Sequence, residues 1–351
     1  MKALILLGGL GTRLRPLTCW TPKPLLTLLN KPELEYQIDL LKKHNIKEVV
    51  FCTGYLSKIF SKYFGTGRKF GLKIHYVYEK KPLGTGGAIK NSKKLIDTTT
   101  VIFNGDILTD INLSEMLKFH KEKKALVTIS LIRVKDPTAY GLVETNKKMQ
   151  IERFLEKPSW DEVTCNTINA GTYIFEPEAL DYIPSGVNYS VERGLFPLLL
   201  EKKKPVYGYI SNNYWLDIGT VEKYLQAHYD LLKGEIKYKI TGREIRKGVF
   251  AGKNVHISPE VEIDGRVVLG SNTKIEPYVQ LTGLVSIGRN CVLKKGVQVI
   301  DSVILDRTVV GEGTRVERAI IGKNCRLEPH IYLNPGTALS DNSIVKRYSV
   351  L

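Results

Sequence analysis

The sequence predicts an α/β fold, with a Rossmann-like mixed, mostly parallel sheet flanked by helices, followed by a left-handed parallel β-helix. Up to about residue 235, strand-like apolar runs alternate with segments of helical apolar spacing. Strands separated by helices imply crossover connections and parallel pairing. From about residue 249, aliphatic side chains recur every six residues instead, which is typical of a β-helix. We therefore predict one domain over residues 1–235 and a second over residues 236–351.

Four apolar runs and one amphipathic segment predict the elements of the first domain. Strands are expected at Lys2–Leu7, Glu48–Thr53, Leu72–Val77 and Thr100–Phe103, and a helix at Glu33–Lys43. In open sheets of this class, ligands sit outside the carboxyl ends of the strands. The loops that follow these strands are therefore where binding residues are expected.

The second domain is predicted from two rows of mostly aliphatic residues, in each of which the residues are spaced six apart. One row holds Val249, Val255, Val261, Val267, Thr273, Val279, Val285, Cys291, Val297, Val303 and Val309, and the other holds Ala251, Ile257, Ile263, Leu269, Ile275, Leu281, Ile287, Leu293, Val299 and Leu305. A β-sandwich also alternates, but it would not keep a strict six-residue period for so long. The register slips near Val310, where the rows lose their regularity.

The composition favours a globular protein that binds anionic substrates. The chain has 351 residues, of which 43% are hydrophobic and 25% charged, as expected of a globular protein. Its apolar runs are too short for a membrane helix and its N-terminus leaves no room for a signal peptide, so a cytoplasmic protein without a membrane partner is expected. Five scattered cysteines without a C-x-x-C pair argue against disulfides and zinc. A net charge of +16 favours anionic substrates, and because no nucleic-acid-binding motif accompanies it, polyphosphates are preferred over nucleic acid.

A glycine-rich loop follows the first strand and reads Gly8-Gly-Leu-Gly-Thr-Arg-Leu-Arg-Pro-Leu-Thr18, with Lys23 close behind in Thr21-Pro-Lys-Pro-Leu25. Glycines after a strand let main-chain N–H groups surround phosphate oxygens, and Arg13 and Lys23 add fixed positive charge. The spacing matches neither a Walker A loop nor a dinucleotide-binding fingerprint.

These residues resemble the first motif of the sugar-1-phosphate nucleotidyltransferases, G-G-x-G-T-R-L-x-P-L-T followed by P-K. The resemblance continues in order through Pro82-Leu-Gly-Thr-Gly-Gly-Ala88, Asn104-Gly-Asp106, Glu156-Lys-Pro158, Asn169-Ala-Gly171 and Trp215-Leu-Asp-Ile-Gly219. Together with a C-terminal β-helix, it looks most like the mannose-1-phosphate guanylyltransferases. Leu7 stands where many members have Ala, and Gly86-Gly87 stands where many have Ala-Gly; both are small changes beside backbone contacts.

The resemblance implies a reaction and a set of site residues. An oxygen of the sugar phosphate attacks the α-phosphorus of a nucleoside triphosphate and pyrophosphate leaves, with Mg²⁺ held by Asp106 and Asp217. The catalytic residues implied are Arg13, Lys23, Asp106 and Asp217; the nucleotide-binding ones are Leu6, Gly8, Gly9, Gly11, Thr12, Arg13, Lys23, Glu79, Gly84 and Asp106; and those for the sugar phosphate are Gly141, Glu156, Lys157 and Asn169. Isolated aspartates are often helix caps or surface groups, but two at strand ends in a polyphosphate site favour a hard cation.

Glu79 bears on the choice of base. Thymidylyl- and uridylyltransferases of this family commonly have Gln at the corresponding place. A carboxylate only accepts hydrogen bonds, and guanine offers adjacent N1–H and N2–H₂ donors, so GTP is favoured, although Glu79 could equally be an exposed residue beside Lys80 and Lys81. Mannose 1-phosphate is inferred from overall likeness.

Other functions stay open at this point. A uridylyl- or thymidylyltransferase acting on glucose 1-phosphate is one, and a catalytically silent regulatory subunit is another, although such a chain is expected to lose the loop Arg, the Lys or a metal Asp. A third is a bifunctional enzyme with an acyltransferase site in the β-helix, where His256 or His330 would be the general base. Self-association into a homo-oligomer is the role favoured for the β-helix.

Overall fold

The computed structural model describes residues 1–54 and 57–351. These residues form two compact units, Met1–Gly9 with Gln37–Trp215, and Leu10–Tyr36 with Leu216–Leu351. We call the first the sheet unit and the second the coil unit. The chain leaves the sheet unit after Gly9, so most of the glycine-rich loop belongs to the coil unit. The predicted domains, residues 1–235 and 236–351, stay a prediction.

The helices are short and amphipathic or buried on one side. They are α1 (Glu33–Lys43), α2 (Ser57–Phe64), α3 (Gly84–Asn91), α4 (Leu113–Glu122), α5 (Phe196–Glu201) and α6 (Val221–Lys233). Several have caps that follow from the sequence: the Asn112 side chain accepts from Glu115 N–H at the start of α4, and Gly234 ends α6 with φ 82°. Among the described residues, no helix is long and apolar enough to cross a membrane.

Thirteen strands precede residue 236 in the part of the chain that is described. They are β1 (Lys2–Leu6), β2 (Thr27–Leu28), β3 (Lys31–Pro32), β4 (Glu48–Thr53), β5 (Lys73–Tyr78), β6 (Thr100–Asn104), β7 (Ile107–Thr109), β8 (Val127–Arg133), β9 (Gly141–Thr145), β10 (Ile151–Glu156), β11 (Thr167–Phe175), β12 (Val206–Ile210) and β13 (Trp215–Asp217). The four predicted strands and the predicted helix are thus confirmed, with ends that differ by at most one residue.

The sheet unit is built on a mixed sheet of order β10-β9-β11-β6-β1-β4-β5, with β8 beside β11 and β12 beside β8. Strands β6, β1, β4 and β5 run parallel, and β11 joins β6 antiparallel. Its core is aliphatic and aromatic, with Leu4, Ile102 and Tyr173 fully buried. The predicted α/β class with a mixed sheet is confirmed, and the parallel strands end at one common edge.

The coil unit contains the β-helix. Its strands are β14 (Arg243–Arg246), β15 (Val249–Ala251), β16 (His256–Ile257), β17 (Glu262–Leu269), β18 (Lys274–Ile275), β19 (Gln280–Ile287), β20 (Val292–Leu293), β21 (Gln298–Ile300), β22 (Val303–Ile304), β23 (Val309–Val310), β24 (Arg315–Glu317), β25 (Ile320–Ile321), β26 (Arg326–Leu327), β27 (Tyr332–Leu333), β28 (Ala338–Leu339) and β29 (Ile344–Val345). Parallel ladders such as β16-β18-β20-β23-β26-β29 join successive coils. The predicted β-helix is confirmed.

One detail of the predicted repeat is wrong. Thr282 pairs with Ile300, 18 residues on, whereas Ser286 pairs with Val303, 17 residues on. The register therefore slips between Ile300 and Val303 rather than near Val310. After the slip, Ile304 and Val310 fill the interior of the coils, while Val303 and Leu305 are buried outside that core. The six-residue pattern of apolar residues continues past the slip because Val303 and Leu305, which lie outside the coil interior, are apolar too.

Candidate active site

Several of the residues predicted to bind the nucleotide belong to the sheet unit, and they lie at the edge where its parallel strands end. Leu6 ends β1 and is followed by Gly8 and Gly9, and Asp106 comes two residues after β6. Gly105 explains how the two ends meet, because its N–H donates to the Leu6 carbonyl at 3.0 Å and a Cβ there would collide with that carbonyl. The Asn104-Gly105-Asp106 turn is therefore held against the end of β1, as the rule for parallel sheets predicts.

Glu79 lies directly after β5 and beside the start of the glycine-rich loop. A Cβ on Gly8 would lie 3.7 Å from its Oε1, and its Oε2 accepts the Leu83 N–H at 3.1 Å. Burial raises the pKa of the half-buried Glu79 carboxyl, and the Leu83 N–H bond opposes that rise. The structure thus places a fixed acceptor next to Gly8, where an approaching ligand would meet it.

The glycines of the second motif serve the packing of α3. Gly84 begins the helix with φ +69°, and a Cβ on it would lie 2.7 Å from the Tyr189 carbonyl oxygen. That carbonyl accepts the N–H groups of Gly86 and Gly87 at 2.8 and 3.1 Å, and side chains at either position would crowd the segment around Tyr189. Close approach to this segment accounts for the glycines, and the role of Gly84 toward a nucleotide stays a prediction.

The residues predicted for the sugar phosphate lie on three adjoining strands. Gly141 on β9 pairs directly with Glu156 on β10, and Asn169 follows Ile168 of β11, which pairs with Leu142. A Cβ on Gly141 would lie 3.0 Å from Glu156 Oε2, so this glycine makes room for the carboxylate. The register alone therefore brings Gly141, Glu156 and Asn169 together.

Lys157 stands next to them on an unusual backbone. Its φ is +54°, a conformation that costs a side-chain-bearing residue energy, and its N–H donates to the Tyr140 carbonyl at 2.9 Å. Its side chain is exposed. Such a strained residue is consistent with a constrained role at this end of β10.

A carboxylate that the sequence did not reveal completes this cluster. Glu192 accepts hydrogen bonds from Thr85 Oγ1 at 2.8 Å, from Ser190 Oγ at 2.6 Å and from the buried Tyr173 hydroxyl at 3.4 Å. The same Tyr173 hydroxyl accepts from Asn169 Nδ2 at 2.9 Å. Asn169 is thus oriented through Tyr173 by Glu192.

Glu192 also acts on Glu156 electrostatically. Burial raises the pKa of the Glu156 carboxyl, the negative charge of Glu192 raises it further, and Lys157 and Arg193 oppose the rise. Glu192 lies in the π-helical turn Val191–Leu195, a rare conformation that is frequent at functional sites. No local sequence pattern announces such a turn, which is why the sequence did not single it out.

The coil unit carries the rest of the glycine-rich loop. Gly11 has φ +62°, and a Cβ on it would lie 3.2 Å from both the Lys23 Cβ and the Thr18 Cγ2. The Thr18 hydroxyl donates to the Gly11 carbonyl at 2.7 Å. The loop therefore folds back so that Gly11 packs against Lys23, whose side chain is buried, while Thr12 stays exposed at the start of a 3₁₀ turn.

Arg13 and Asp217, distant in sequence, both lie beside Gly219 within the coil unit. A Cβ on Gly219 would lie 3.1 Å from Arg13 Nη2 and 3.2 Å from Asp217 Oδ1. Asp217 Oδ2 also faces Lys223 Nζ at 3.4 Å. Asp217 and Gly219 of the Trp215-Leu-Asp-Ile-Gly219 motif thus lie beside the loop arginine, and the missing side chain of Gly219 allows the approach.

Asp106 of the sheet unit and Asp217 of the coil unit are the two carboxylates predicted to bind a divalent cation. Asp106 and Asp217 are both half-buried oxygen donors, and Mg²⁺ is bound through one or two carboxylates together with substrate phosphates and water. Among the described residues, no group of three or more His, Cys, Asp or Glu could hold a metal by itself. Each carboxylate taken alone is the kind of oxygen donor that such a metal uses together with phosphate oxygens and water.

Comparison with known families covers both parts of the chain. Residues 2–234 match the model of the Nucleotidyl transferase family, and residues 246–351 match the EIF2B subunit epsilon LbH domain. The first match includes every motif described above and the second includes most of the β-helix.

Individual proteins are similar to much of the chain. The UTP–glucose-1-phosphate uridylyltransferase of Synechocystis is 38% identical over 93% of this chain and 88% of its own length. The mannose-1-phosphate guanylyltransferase of Mycobacterium tuberculosis is 37% identical over 76% of this chain and 79% of its own. The crystal structure of HddC from Yersinia pseudotuberculosis complexed with GMP-PN superimposes with a TM-score of 0.57 and 26% identity, over 66% of this chain and 99% of that one.

Proposed function

The chain belongs to the sugar-1-phosphate nucleotidyltransferases, and from that premise we propose that it makes GDP-mannose from GTP and mannose 1-phosphate. The observation that carries the choice of base is Glu79, whose carboxylate sits beside Gly8 and is fixed by the Leu83 N–H. Guanine offers two adjacent donors to such an acceptor, whereas uracil and thymine offer one donor between two acceptors. The guanylyltransferase relatives support the choice of sugar.

In the proposed reaction, a phosphate oxygen of mannose 1-phosphate attacks the α-phosphorus of GTP in line. The new P–O bond forms as the bond from the α-phosphorus to the α,β-bridging oxygen breaks, and pyrophosphate leaves with that electron pair. Both reactants are anions, so catalysis depends on positioning and on stabilising negative charge. We assign Arg13 to the leaving pyrophosphate, Lys23 to the nucleotide phosphates and Lys157 to the sugar phosphate.

Nucleotidyltransferases of this family generally use a divalent metal ion, and we propose Mg²⁺ held by Asp106 and Asp217. When bound, the ion would neutralise phosphate charge during transfer. The two carboxylates would hold the ion, and Arg13, which borders Gly219 together with Asp217, would supply a further positive charge to the phosphates.

The sugar is proposed to bind against β9, β10 and β11. Glu156 and Asn169 exchange hydrogen bonds with its hydroxyl groups, and Gly141 leaves room for the Glu156 carboxylate. The bonds from Asn169 to Tyr173 and from Tyr173 to Glu192 support this assignment, because they fix the Asn169 amide in one orientation. Leu6, Gly8, Gly9, Gly11, Thr12 and Gly84 are proposed to contact the nucleotide through their backbones.

The decisive experiment is a matrix of GTP, UTP, dTTP and ATP against mannose and glucose 1-phosphates with Mg²⁺, following pyrophosphate release. We expect the pair GTP and mannose 1-phosphate to have the highest kcat/KM. Preference for UTP or dTTP with glucose 1-phosphate would support the uridylyl- or thymidylyltransferase alternative, and no turnover with any pair would indicate a regulatory subunit.

Glu79→Gln tests the assignment of the base within the same matrix. The amide replaces one acceptor with a donor, so we expect GTP to lose about ten- to a hundredfold in kcat/KM relative to UTP, the scale of one good base contact. An unchanged GTP to UTP ratio would remove Glu79 from base recognition.

We also propose that the protein self-associates through the β-helix. Ile344, Tyr348 and Val350 of the β-helix expose about two thirds of their surface, at 65%, 70% and 67%, and exposed apolar side chains on a solenoid favour pairing. Light scattering coupled to size exclusion would test this, and a monomer at micromolar concentration would contradict it.

A further inference from the structure

The segment that carries Arg13 and Lys23 is bonded to the β-helix at two places. Thr21 Oγ1 donates to Asp341 Oδ2 at 2.9 Å, 320 residues away in sequence, in a buried hydrogen bond. Asn30 Nδ2 donates to the Ile287 carbonyl at 3.0 Å, also buried, and Arg289 Nη2 donates to the Asn30 carbonyl at 2.7 Å. These bonds link the segment to two coils of the β-helix that lie three coils apart, one at Ile287 and Arg289 and the other at Asp341.

The first contact is a small polar cluster. Asp341 is 7% exposed and uses its other oxygen, Oδ1, to accept the Lys323 N–H at 2.8 Å. Lys323 Nζ lies 3.5 Å from Thr21 Oγ1. A buried carboxylate is costly unless it is hydrogen-bonded, so the Thr21 hydroxyl cannot leave Asp341 without an energetic penalty. Thr21 is two residues from Lys23 and separated from it only by Pro22.

The second contact holds a strained turn. Leu29 and Asn30, between β2 and β3, have φ of +46° and +67°, and a left-handed conformation is unfavourable for a residue such as Leu. Besides the Asn30 bonds, the Thr241 hydroxyl donates to the Leu29 carbonyl at 2.8 Å. Strained residues persist where the surrounding structure over-determines them. Here the β-helix and the segment that leads into it supply that restraint.

We propose that the β-helix positions the phosphate loop, with Asp341 and Arg289 as positioning residues that act on Lys23 through Thr21 and Asn30. The inference rests on the proposed role of Lys23 in binding nucleotide phosphates. It gives the β-helix a part in catalysis that is separate from self-association. The benefit is preorganisation: a lysine held before substrate arrives loses less freedom in the transition state.

Thr21→Val tests the proposal with an isosteric change that removes only the hydroxyl. Since hydrogen bonds to charged groups are among the stronger ones, we expect kcat/KM for the nucleoside triphosphate to fall about tenfold, with the KM for the sugar phosphate unchanged. Thr21→Ser restores the hydroxyl and should recover most of the loss.

Thr308→Val is the matched control. Thr308 is a fully buried threonine of the β-helix whose hydroxyl donates to the Gly322 carbonyl at 2.8 Å. Thr308→Val removes a buried threonine hydroxyl from the coil unit, as Thr21→Val does, so the two variants should lose similar stability. The kinetics of Thr308→Val should stay those of wild type. A second pair is Arg289→Met against Arg307→Met, where Arg307 bonds Asn324 instead of the loop.

Hydrogen exchange followed by mass spectrometry gives a readout that does not need turnover. Peptides covering residues 10–26 should exchange faster in Thr21→Val than in wild type or Thr308→Val. Equal kinetics and equal exchange in Thr21→Val and Thr308→Val would overturn the proposal. A wild-type protein that is inactive with every substrate pair would refute the proposed function instead, and faster loop exchange in Thr21→Val would still establish the anchoring.

Discussion

Replacing Glu192 with Gln should change how the protein handles the sugar phosphate, although Glu192 belongs to none of the family motifs quoted above. The carboxylate accepts from Thr85, Ser190 and Tyr173 at 2.8, 2.6 and 3.4 Å. The amide keeps one accepting oxygen, so at least one of these hydroxyl groups must turn to accept instead. The loss of a charge-assisted bond amounts to about 1–2 kcal/mol of folding stability.

The kinetic consequence follows from the chain of bonds that leads from Glu192 through Tyr173 to Asn169. Loosening it frees the Asn169 amide, and we expect the KM for the sugar phosphate to rise about tenfold. Removing the negative charge also lowers the raised pKa of Glu156. Because an ionised Glu156 carboxylate is the stronger acceptor for a sugar hydroxyl, the acidic limb of the kcat/KM profile should move to lower pH.

Glu176→Gln is the control for that experiment. Glu176 is a half-buried carboxylate of the same unit that accepts from Thr99 Oγ1 at 2.8 and 3.0 Å and from His120 at 3.1 Å. It belongs to none of the predicted site residues. Urea unfolding should give both variants a similar loss, with only Glu192→Gln altering KM and the pH profile. A Glu192→Gln enzyme with wild-type KM and an unmoved acidic limb would refute the reasoning.

Three further predictions concern single positions. Arg13→Ala should lower kcat by about a hundredfold or more, the scale of one preorganised charge, as measured by pyrophosphate release; near-normal turnover would exclude Arg13 from the mechanism. Gly270→Ala should cost about 3 kcal/mol in urea unfolding, because its Cβ would lie 2.5 Å from the Arg289 nitrogen, whereas Gly296→Ala, with open space around its Cβ, should cost only about 1 kcal/mol for its left-handed φ. His228→Leu should make the free energy of unfolding less dependent on pH. Burial lowers the His228 pKa to about 3, so at a pH below the usual histidine pKa only the unfolded chain takes up the proton. Urea unfolding should therefore show wild type losing about 2 kcal/mol between pH 6.5 and 5 that the variant keeps.

The β-helix was predictable because its interior imposes the same requirement on every coil. Each inward position must be apolar, and the sequence repeats that requirement at fixed spacing. What the pattern could not locate was the slip between Ile300 and Val303. Val303 and Leu305 are buried although they do not fill the coil interior, and an apolar letter does not say which side of the backbone it faces.

The site, too, has residues that the sequence pattern could group and residues that it could not. Gly8, Glu79 and Asp106 follow parallel strands, so the rule that strands end at one edge was enough to group them. Glu192 was missed because its bond with Thr85 joins residues 107 apart in sequence. Tyr173 was missed because its role is to link Asn169, four residues away, to Glu192, and no sequence motif marks that link. Equally, nothing in the letters of Thr21 or Asn30 indicates a partner more than 250 residues away. Long-range polar contacts have no periodicity, and only the folded chain reveals them.

The anchoring of the loop has a thermodynamic consequence that runs in both directions. If the β-helix favours the conformation of the loop that binds nucleotide, then nucleotide must favour the bonded state of the loop by the same factor. GTP should therefore slow exchange not only in residues 10–26 but also at the coils around Ile287 and Asp341. In Thr21→Val the protection near Asp341 should shrink by the factor by which GTP binding weakens, while protection near Ile287, held separately by Asn30, should persist. Protection by GTP that is equal at both coils in wild type and variant would show that loop and β-helix are not coupled through Thr21.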